Sequence, residues 1–425
     1  MVSLANLEMK NVFYGWWVLL ALVLIYMVTN GILLNTMPLF APQLLDEFGL
    51  DNQQVSRPPQ LMYLLVSILA AFVGILLDKY SPKIIMLSGG AILLLALAGF
   101  ASATSFMQIQ VVYVLYAFAL TLAGIVTSMY LITQWFVKYR GLAVGIFLMG
   151  SSFGGALFNK IAGWAIAALG WRNAAWVLLC CAVVGMLLPL VLLVRNRPAD
   201  MGLLPDGETP TNTSNNHQRF AVLSGITLSS AIRTPYFYLL LVATATLWFC
   251  ITGVVNHQVL FIEKDLHQTK EIVTNVTSLF FLCSIIGKLL FGWLGDRYNK
   301  LIIMLLSIVN LLIGTVLLRY LADLPTSMMY VYALVYGIAF SGAFTMIQVV
   351  VAELYSGSSY GKILGIFTMI DTLAGSMGII VLGAMRKNSG SYLGAFNTMI
   401  LLCAFACICV LALQFMKKPQ VQTAH

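Results

Sequence analysis

Apolar residues in this chain come in long unbroken runs. They show neither the alternation of a half-buried strand nor the narrow stripe of a soluble helix. Twelve runs stand out, at about 12–37, 55–77, 82–104, 107–135, 140–168, 172–195, 235–262, 271–295, 300–322, 326–354, 361–385 and 391–416. About 20 apolar residues of helix span a hydrocarbon core roughly 30 Å thick, so each run predicts a membrane-spanning helix. Between the sixth and seventh runs the pattern stops. Residues 196–233 include P-D-G-E-T-P-T-N-T-S-N-N and no apolar period, which predicts a flexible linker. The expected fold class is an all-α membrane protein of twelve helices. Its organisation would be a first six-helix half (1–195), the linker (196–233) and a second six-helix half (234–425).

Composition agrees. The chain is 60% hydrophobic and 9% charged, with a mean hydropathy of +0.93. Such a surface cannot be kept in water, so a soluble protein is excluded. The net charge of +8 does not point to nucleic acid, because the basic residues are scattered singly between apolar runs. Of the 23 Lys and Arg, fourteen fall on the side that would hold both termini and the linker, and seven on the other. The positive-inside rule then places the termini and linker in the cytoplasm. A multi-pass protein of a cell membrane, such as a bacterial inner membrane, is the expected setting. The first run is too long for the apolar part of a signal peptide, so the N-terminus is expected to be retained. All seven cysteines lie in apolar runs and read as small core residues, not as a metal or disulfide framework. No metal and no cofactor are expected, and the protein should work as a monomer.

The two halves repeat. Gly74-I-L-L-Asp78-Lys79 recurs as Gly292-W-L-G-Asp296-Arg297, each after the second helix of its half. Gly141-L-A-V-Gly145-Ile146-Phe147-L-Met149 recurs as Gly361-K-I-L-Gly365-Ile366-Phe367-T-Met369, each at the start of the fifth helix. An internal repeat in a twelve-helix protein puts a substrate site between the halves, near the midplane.

These residues make the chain resemble the major facilitator superfamily along essentially its whole length. The carrying signal is the duplicated G-x-x-x-D-[RK] loop: Gly74, Asp78, Lys79 and Lys83 in one copy, and Gly292, Asp296, Arg297 and Lys300 in the other. Ser81-Pro82 stands where the family usually has a glycine. Within the superfamily, Tyr14-Gly15-Trp16-Trp17 and Arg140-Gly141-Leu142-Ala143 resemble the monocarboxylate-porter and oxalate/formate-antiporter group. In those families the eighth helix carries an arginine four residues before the loop glycine; Lys288 stands there. The porters have an acid six residues after a glycine of the eleventh helix; Asp371 stands six after Gly365. The antiporters have a lysine at that point. Two departures stand out: Ser284 replaces an aspartate of the porters, and Asn35 stands near their proton-linked lysine. The resemblance implies a secondary transporter that works by alternating access.

Away from the terminal turns, three charges lie inside the spans: Lys160, Lys288 and Asp371. Lys160 is near a span end and can snorkel. Lys288 lies eight residues before Asp296, roughly 12 Å deep, and Asp371 ten residues into its helix, roughly 15 Å deep. A charge at that depth is costly and should face a cavity, a partner or a substrate. The two could form a buried pair that only ties two helices together. The functional reading makes Lys288 the anion site and Asp371 a proton acceptor or the lysine's partner, so that protonating Asp371 frees the ammonium. Further polar or aromatic candidates for the substrate site are Tyr26, Asn30, Thr127, Tyr130, Asn256, His257, Phe344 and Gln348. Each could instead bond a neighbouring helix, and His257 could equally be a satisfied interfacial histidine. Gly150-S-Ser152-F-Gly154 has the spacing of a nucleophile elbow but lies within a helix, so it carries no enzymatic meaning. Small residues there permit close helix packing instead.

The expected function is transport of a small carboxylate, probed by Lys288, together with a proton. The loop charges Asp78, Lys79, Asp296 and Arg297 would gate the cytoplasmic side, with Arg140 and Glu353 beside them. A zwitterion carrier, with Asp371 on an amino group, is the alternative within transport. A membrane sensor on the same fold is the alternative outside it, and the short termini and linker leave it no signalling domain.

Overall fold

The computed structural model describes residues 13–207, 226–357 and 359–417. Lys10, Arg219 and Lys418, counted above on the terminal side, lie outside the described residues. Twelve helices among the described residues are long and apolar enough to cross a membrane: α1 (Gly15–Phe48), α2 (Gln54–Lys79), α3 (Pro82–Ala101), α4 (Phe106–Trp135), α5 (Arg140–Leu169), α6 (Trp171–Leu192), α7 (Pro235–Asp265), α8 (Lys270–Arg297), α9 (Lys300–Asp323), α10 (Met328–Tyr355), α11 (Tyr360–Ser389) and α12 (Leu393–Phe415). The described residues include no strand.

The turns are set by local chemistry. Ser81, Thr234, Thr269 and Asn299 each cap the helix they precede by accepting an N–H of its first turn. Pro82 and Pro235 stand at the helix starts, where a missing N–H costs nothing. α1 runs well past the expected stop at 37. It passes through a π-turn (Gly31–Thr36) and a 3₁₀ turn (Met37–Phe40) into a last helical stretch, Ala41–Phe48. Pro38 and Pro42 read as breakers in the sequence. Each sits in the first turn of a new helical segment, so the rod continues.

Helices α1–α6 pack among themselves, chiefly α1 on α5, α2 on α4, and α3 on α4 and α6. In the second set, α7 packs on α11 and α12, α8 on α10, and α9 on α10 and α12. The two sets meet mainly along α2–α11 and α5–α8. Both seams are closed at the repeated glycines. The backbone of Gly361 fills the space beside Gly74, and that of Gly292 the space beside Gly141. Ala70 O lies against Gly365, and Lys288 O against Gly145. A side chain at any of the four would hold the backbones apart. Large apolar side chains such as Trp164, Val184, Leu401, Ile408 and Phe415 are exposed on the outer surface, where lipid would cover them.

The face that carries the α2–α3, α4–α5 and α8–α9 turns is called the base below, and the opposite one the far face. The linker was expected to be flexible from residue 196, but its first stretch is fastened to the base. Trp135 Nε1 donates to Arg195 O at 3.1 Å. Asn196 Oδ1 accepts from Ser81 Oγ and Lys83 N. Asp206 accepts from Val137 N and Lys138 N, at 3.0 and 2.7 Å. Polar side chains that look like linker composition in the sequence are satisfying turn N–H groups that would otherwise have no partner.

Candidate functional site

Lys288 lies at the α5–α8 seam, just above the glycine contacts, and Asp371 lies on α11, the other seam helix, on a face turned to α7. Lys288 is 2% exposed and Asp371 3%. They do not pair. No ion pair between them occurs among the described residues, and each has its own partners on a different helix.

Lys288 reaches from α8 across to α5. Its Nζ donates to Leu148 O at 3.1 Å, Ser151 Oγ at 3.4 Å and Ser152 Oγ at 2.8 Å. These three acceptors are neutral. Leu148 O and the serine hydroxyls face α8 because Gly145 and Gly141, about one and two turns toward the base, bring α5 into backbone contact with it. Asp371 turns the other way, to α7. Its Oδ1 lies 2.9 Å from Thr244 Oγ1, which is also 3.1 Å from Leu241 O. One hydroxyl proton cannot serve both oxygens. If it goes to Leu241 O, the carboxyl must donate; if it goes to Asp371, the carboxylate accepts. Thr244 can therefore partner either protonation state by turning its hydroxyl.

The other candidates disperse. Tyr26 is buried with its ring 4.4 Å from that of Phe147. Phe344 packs edge-on against Trp248 at 5.1 Å. Gln348 is buried, and its Oε1 has no hydrogen-bond partner among the described residues. Asn30 is half-buried, and its carbonyl accepts from Asn35. Thr127 is buried and donates to Leu122 O within α4, which makes it a helix-internal group. Tyr130 stacks on Tyr360 of the other half near the base, at 6.4 Å, as part of the closure. Asn256 is exposed, with its amide turned to Thr252 O. His257, on α7, has Nδ1 2.8 Å from Tyr392 Oη at the start of α12 and Nε2 2.9 Å from Ile379 O of α11, so both ring nitrogens are occupied. Its expected place as a substrate-site group gives way to the alternative, a satisfied histidine between helices. The backbone carbonyl can only accept, so the Nε2 proton is fixed there. Ser151 and Ser152 were read in the sequence only as small packing residues, and Thr244 and Trp248 were not singled out. A serine or threonine inside a helix usually bonds its own backbone, so composition alone does not mark it.

The loop charges close the base between the halves. Asp78 Oδ2 lies 2.7 Å from Lys362 Nζ. Asp296 accepts from Gly141 N at 2.6 Å and Leu142 N at 2.8 Å, capping α5 from the other half. Arg140, 6% exposed, donates to Phe136 O and to Ala352 O at the end of α10, and lies 3.7 Å from Glu353. Lys79 makes no ion pair among the described residues. Lys83 donates to Val191 O in its own half, and Arg297 lies over the Trp293 ring. The carboxylates of the duplicated loop thus do the bridging.

Two six-helix sets, clasped at one face, with one buried charge bridging a seam and a second buried beside the other seam helix, have the architecture of a polytopic carrier. The sequence profile of the Major Facilitator Superfamily matches residues 18–262 and 258–424. The chain belongs to that superfamily: it is a secondary transporter, not an enzyme. It is 23% identical to the phosphoglycerate transporter protein of Salmonella typhimurium over 398 residues, 90% of this chain and 85% of that one. It is 25% identical to monocarboxylate transporter 13 of Bos taurus over 328 residues, 75% and 70% of the two chains. Among solved structures it is similar to the proton:xylose symporter XylE, with a TM-score of 0.76, 16% identity, and 96% and 97% of the chains covered. That last likeness shows the fold alone.

Proposed function

We propose that this transporter moves a small organic monocarboxylate together with a proton, between halves 1–195 and 234–425 that rock about the central seams, with the base facing the cytoplasm. The observation that carries the reading is Lys288. Its ammonium is almost fully buried at the meeting of the halves, and among the described residues its hydrogen-bond acceptors are three neutral oxygens. A buried cation without a counter-charge is costly, and an anion arriving there would relieve the cost. One ammonium suits one carboxylate better than a dianion. The likeness to monocarboxylate transporter 13 agrees with this reading, and the likeness to the phosphoglycerate transporter keeps the substrate anionic. Asp371 fits the proton-carrying role because Thr244 can partner both of its states.

Purified protein screened by thermal melting against formate, acetate, L-lactate, pyruvate and a set of amino acids tests this. A monocarboxylate at a hundredfold excess over its Kd should add about 2.7 kcal/mol of apparent stability. Folded Lys288→Ala should lose that response, and Lys288→Arg should keep part of it. Stabilisation by amino acids instead, or an undiminished response in Lys288→Ala, would turn the reading toward a zwitterion carrier.

A further inference from the structure

An ammonium has three N–H donors. In this base-closed arrangement Lys288 has three acceptors within reach, Leu148 O, Ser151 Oγ and Ser152 Oγ, all on α5 of the opposite half. Those bonds cross the α5–α8 seam about two turns above the Asp296 clasp on Gly141 and Leu142. The same cation therefore closes the seam and, on the proposed reading, receives the anion. It cannot do both with full hydrogen bonding.

We infer that anion binding and seam closure compete for the Lys288 ammonium, so that a carboxylate arriving at Lys288 unlatches α5 from α8 and so drives the base toward opening. A carboxylate oxygen is a stronger acceptor for an ammonium than a serine hydroxyl, because the bond gains charge on both sides. Each N–H that turns to the substrate leaves α5. The pull is local: Gly145, which faces Lys288 O, has no side chain that could hold the helices once the bonds part. The internal repeat supports a dedicated latch. At its 220-residue offset Ser151 corresponds to Asp371, and at the 218-residue offset Lys288 corresponds to Ala70. Thus at the level of Lys288, two turns above the base clasp, the α5–α8 seam has a cation reaching across where the equivalent position of the α2–α11 seam has an alanine, and hydroxyls, not an acid, receive it. An acid at 151 would neutralise the lysine permanently; hydroxyls hold it weakly enough to be displaced.

This inference rests on Lys288 as the anion site, and the test separates the two. Spin labels at Lys138→Cys and Tyr298→Cys, exposed at the base in opposite halves, report closure, with the exposed Cys180 replaced by serine. Acetate and L-lactate are the probes. Without either, Ser151→Ala/Ser152→Ala and Lys288→Met should both lower the base-closed fraction. The double-alanine protein should also bind acetate about tenfold tighter, since two competing acceptors are gone. Ser151→Asp should act oppositely on both readouts, closing the base and weakening acetate about tenfold or more. In the wild type, acetate should widen the base distance. Acetate that binds through Lys288 yet leaves the base distance unchanged, or binds the double-alanine protein no more tightly, overturns the competition while leaving the anion site standing. Acetate bound equally by Lys288→Met overturns both. A base distance that still shifts in that variant then leaves Lys288 a structural latch only.

Discussion

At the scale of single residues, two charges of similar depth were legible in the sequence and their partners were not. Burial depth follows from position along a helix, which is a local property. The partner depends on which neighbour each face meets, and that is decided by packing between halves. Lys288 meets α5 and Asp371 meets α7, so the direct pair that spacing allowed does not form. On the proposed reading, coupling would run through Asp371 and Thr244, whose hydroxyl can partner the carboxyl with or without its proton. Asp371→Asn keeps the shape of the protonated acid and can still meet the Thr244 hydroxyl. It should bind carboxylate and exchange it across the membrane, yet lose accumulation driven by a proton gradient. Counterflow and pH-gradient uptake in the same proteoliposomes measure the two separately. Gradient-driven uptake that persists at the wild-type level would remove Asp371 from coupling.

At the scale of elements, the duplicated loop looks symmetric in sequence and is not symmetric in its bonds. Asp78 meets a lysine side chain, with the lysine 35% exposed. Such a solvated ion pair contributes about 0–1 kcal/mol. Asp296 meets two backbone N–H groups at the start of α5, where hydrogen bonds to a charge contribute roughly 1.5–3 kcal/mol each and the helix dipole adds to them. The preceding N–H groups, of Val137 and Lys138, are taken by Asp206 of the linker. Two carboxylates, one from the linker and one from the other half, thus fix the same turn. Asp296→Asn should therefore lower the base-closed fraction severalfold, and Asp78→Asn should lower it less, by the base-distance measurement above. Equal effects, or a larger one at Asp78, would contradict this ranking. The sequence marked both aspartates as gate residues; the difference between them arises from what residue 362 and the end of α5 present across the seam.

At the scale of the whole molecule, the ties differ between its two faces. At the base they cross between halves. At the far face two pseudo-equivalent acids, Glu47 and Asp265, an offset of 218 apart, tie helices within their own half. Glu47 lies 2.5 Å from Arg172 and accepts from Trp171 Nε1, joining the end of α1 to the start of α6. Asp265 lies 2.7 Å from Arg386, joining the end of α7 to that of α11. Each arginine also lies over an aromatic ring, Trp171 or Tyr392. Rocking halves must break the base ties in every cycle and can leave the far-face ties intact. Glu47→Gln and Asp265→Asn should thus lower the melting temperature only slightly, as expected of solvated pairs, without changing the base-closed fraction. A shift of the base distance in either variant would show that these acids take part in switching.

The sequence alone determined the number of spans, the duplicated loop and the presence of two charges well inside the apolar runs. Each of these follows from residues near one another in the chain, through hydrophobic run length, the helical rise and an internal repeat. Tertiary structure alone decided that Lys288 faces Leu148, Ser151 and Ser152, that Asp371 faces Thr244, that His257 is sealed between three helices, and that the linker begins by capping a turn. Those partners lie about 60 to 140 residues away, and which helix faces meet is settled by glycine contacts at the seams, where backbones close to van der Waals distance and side chains take what polar groups they find.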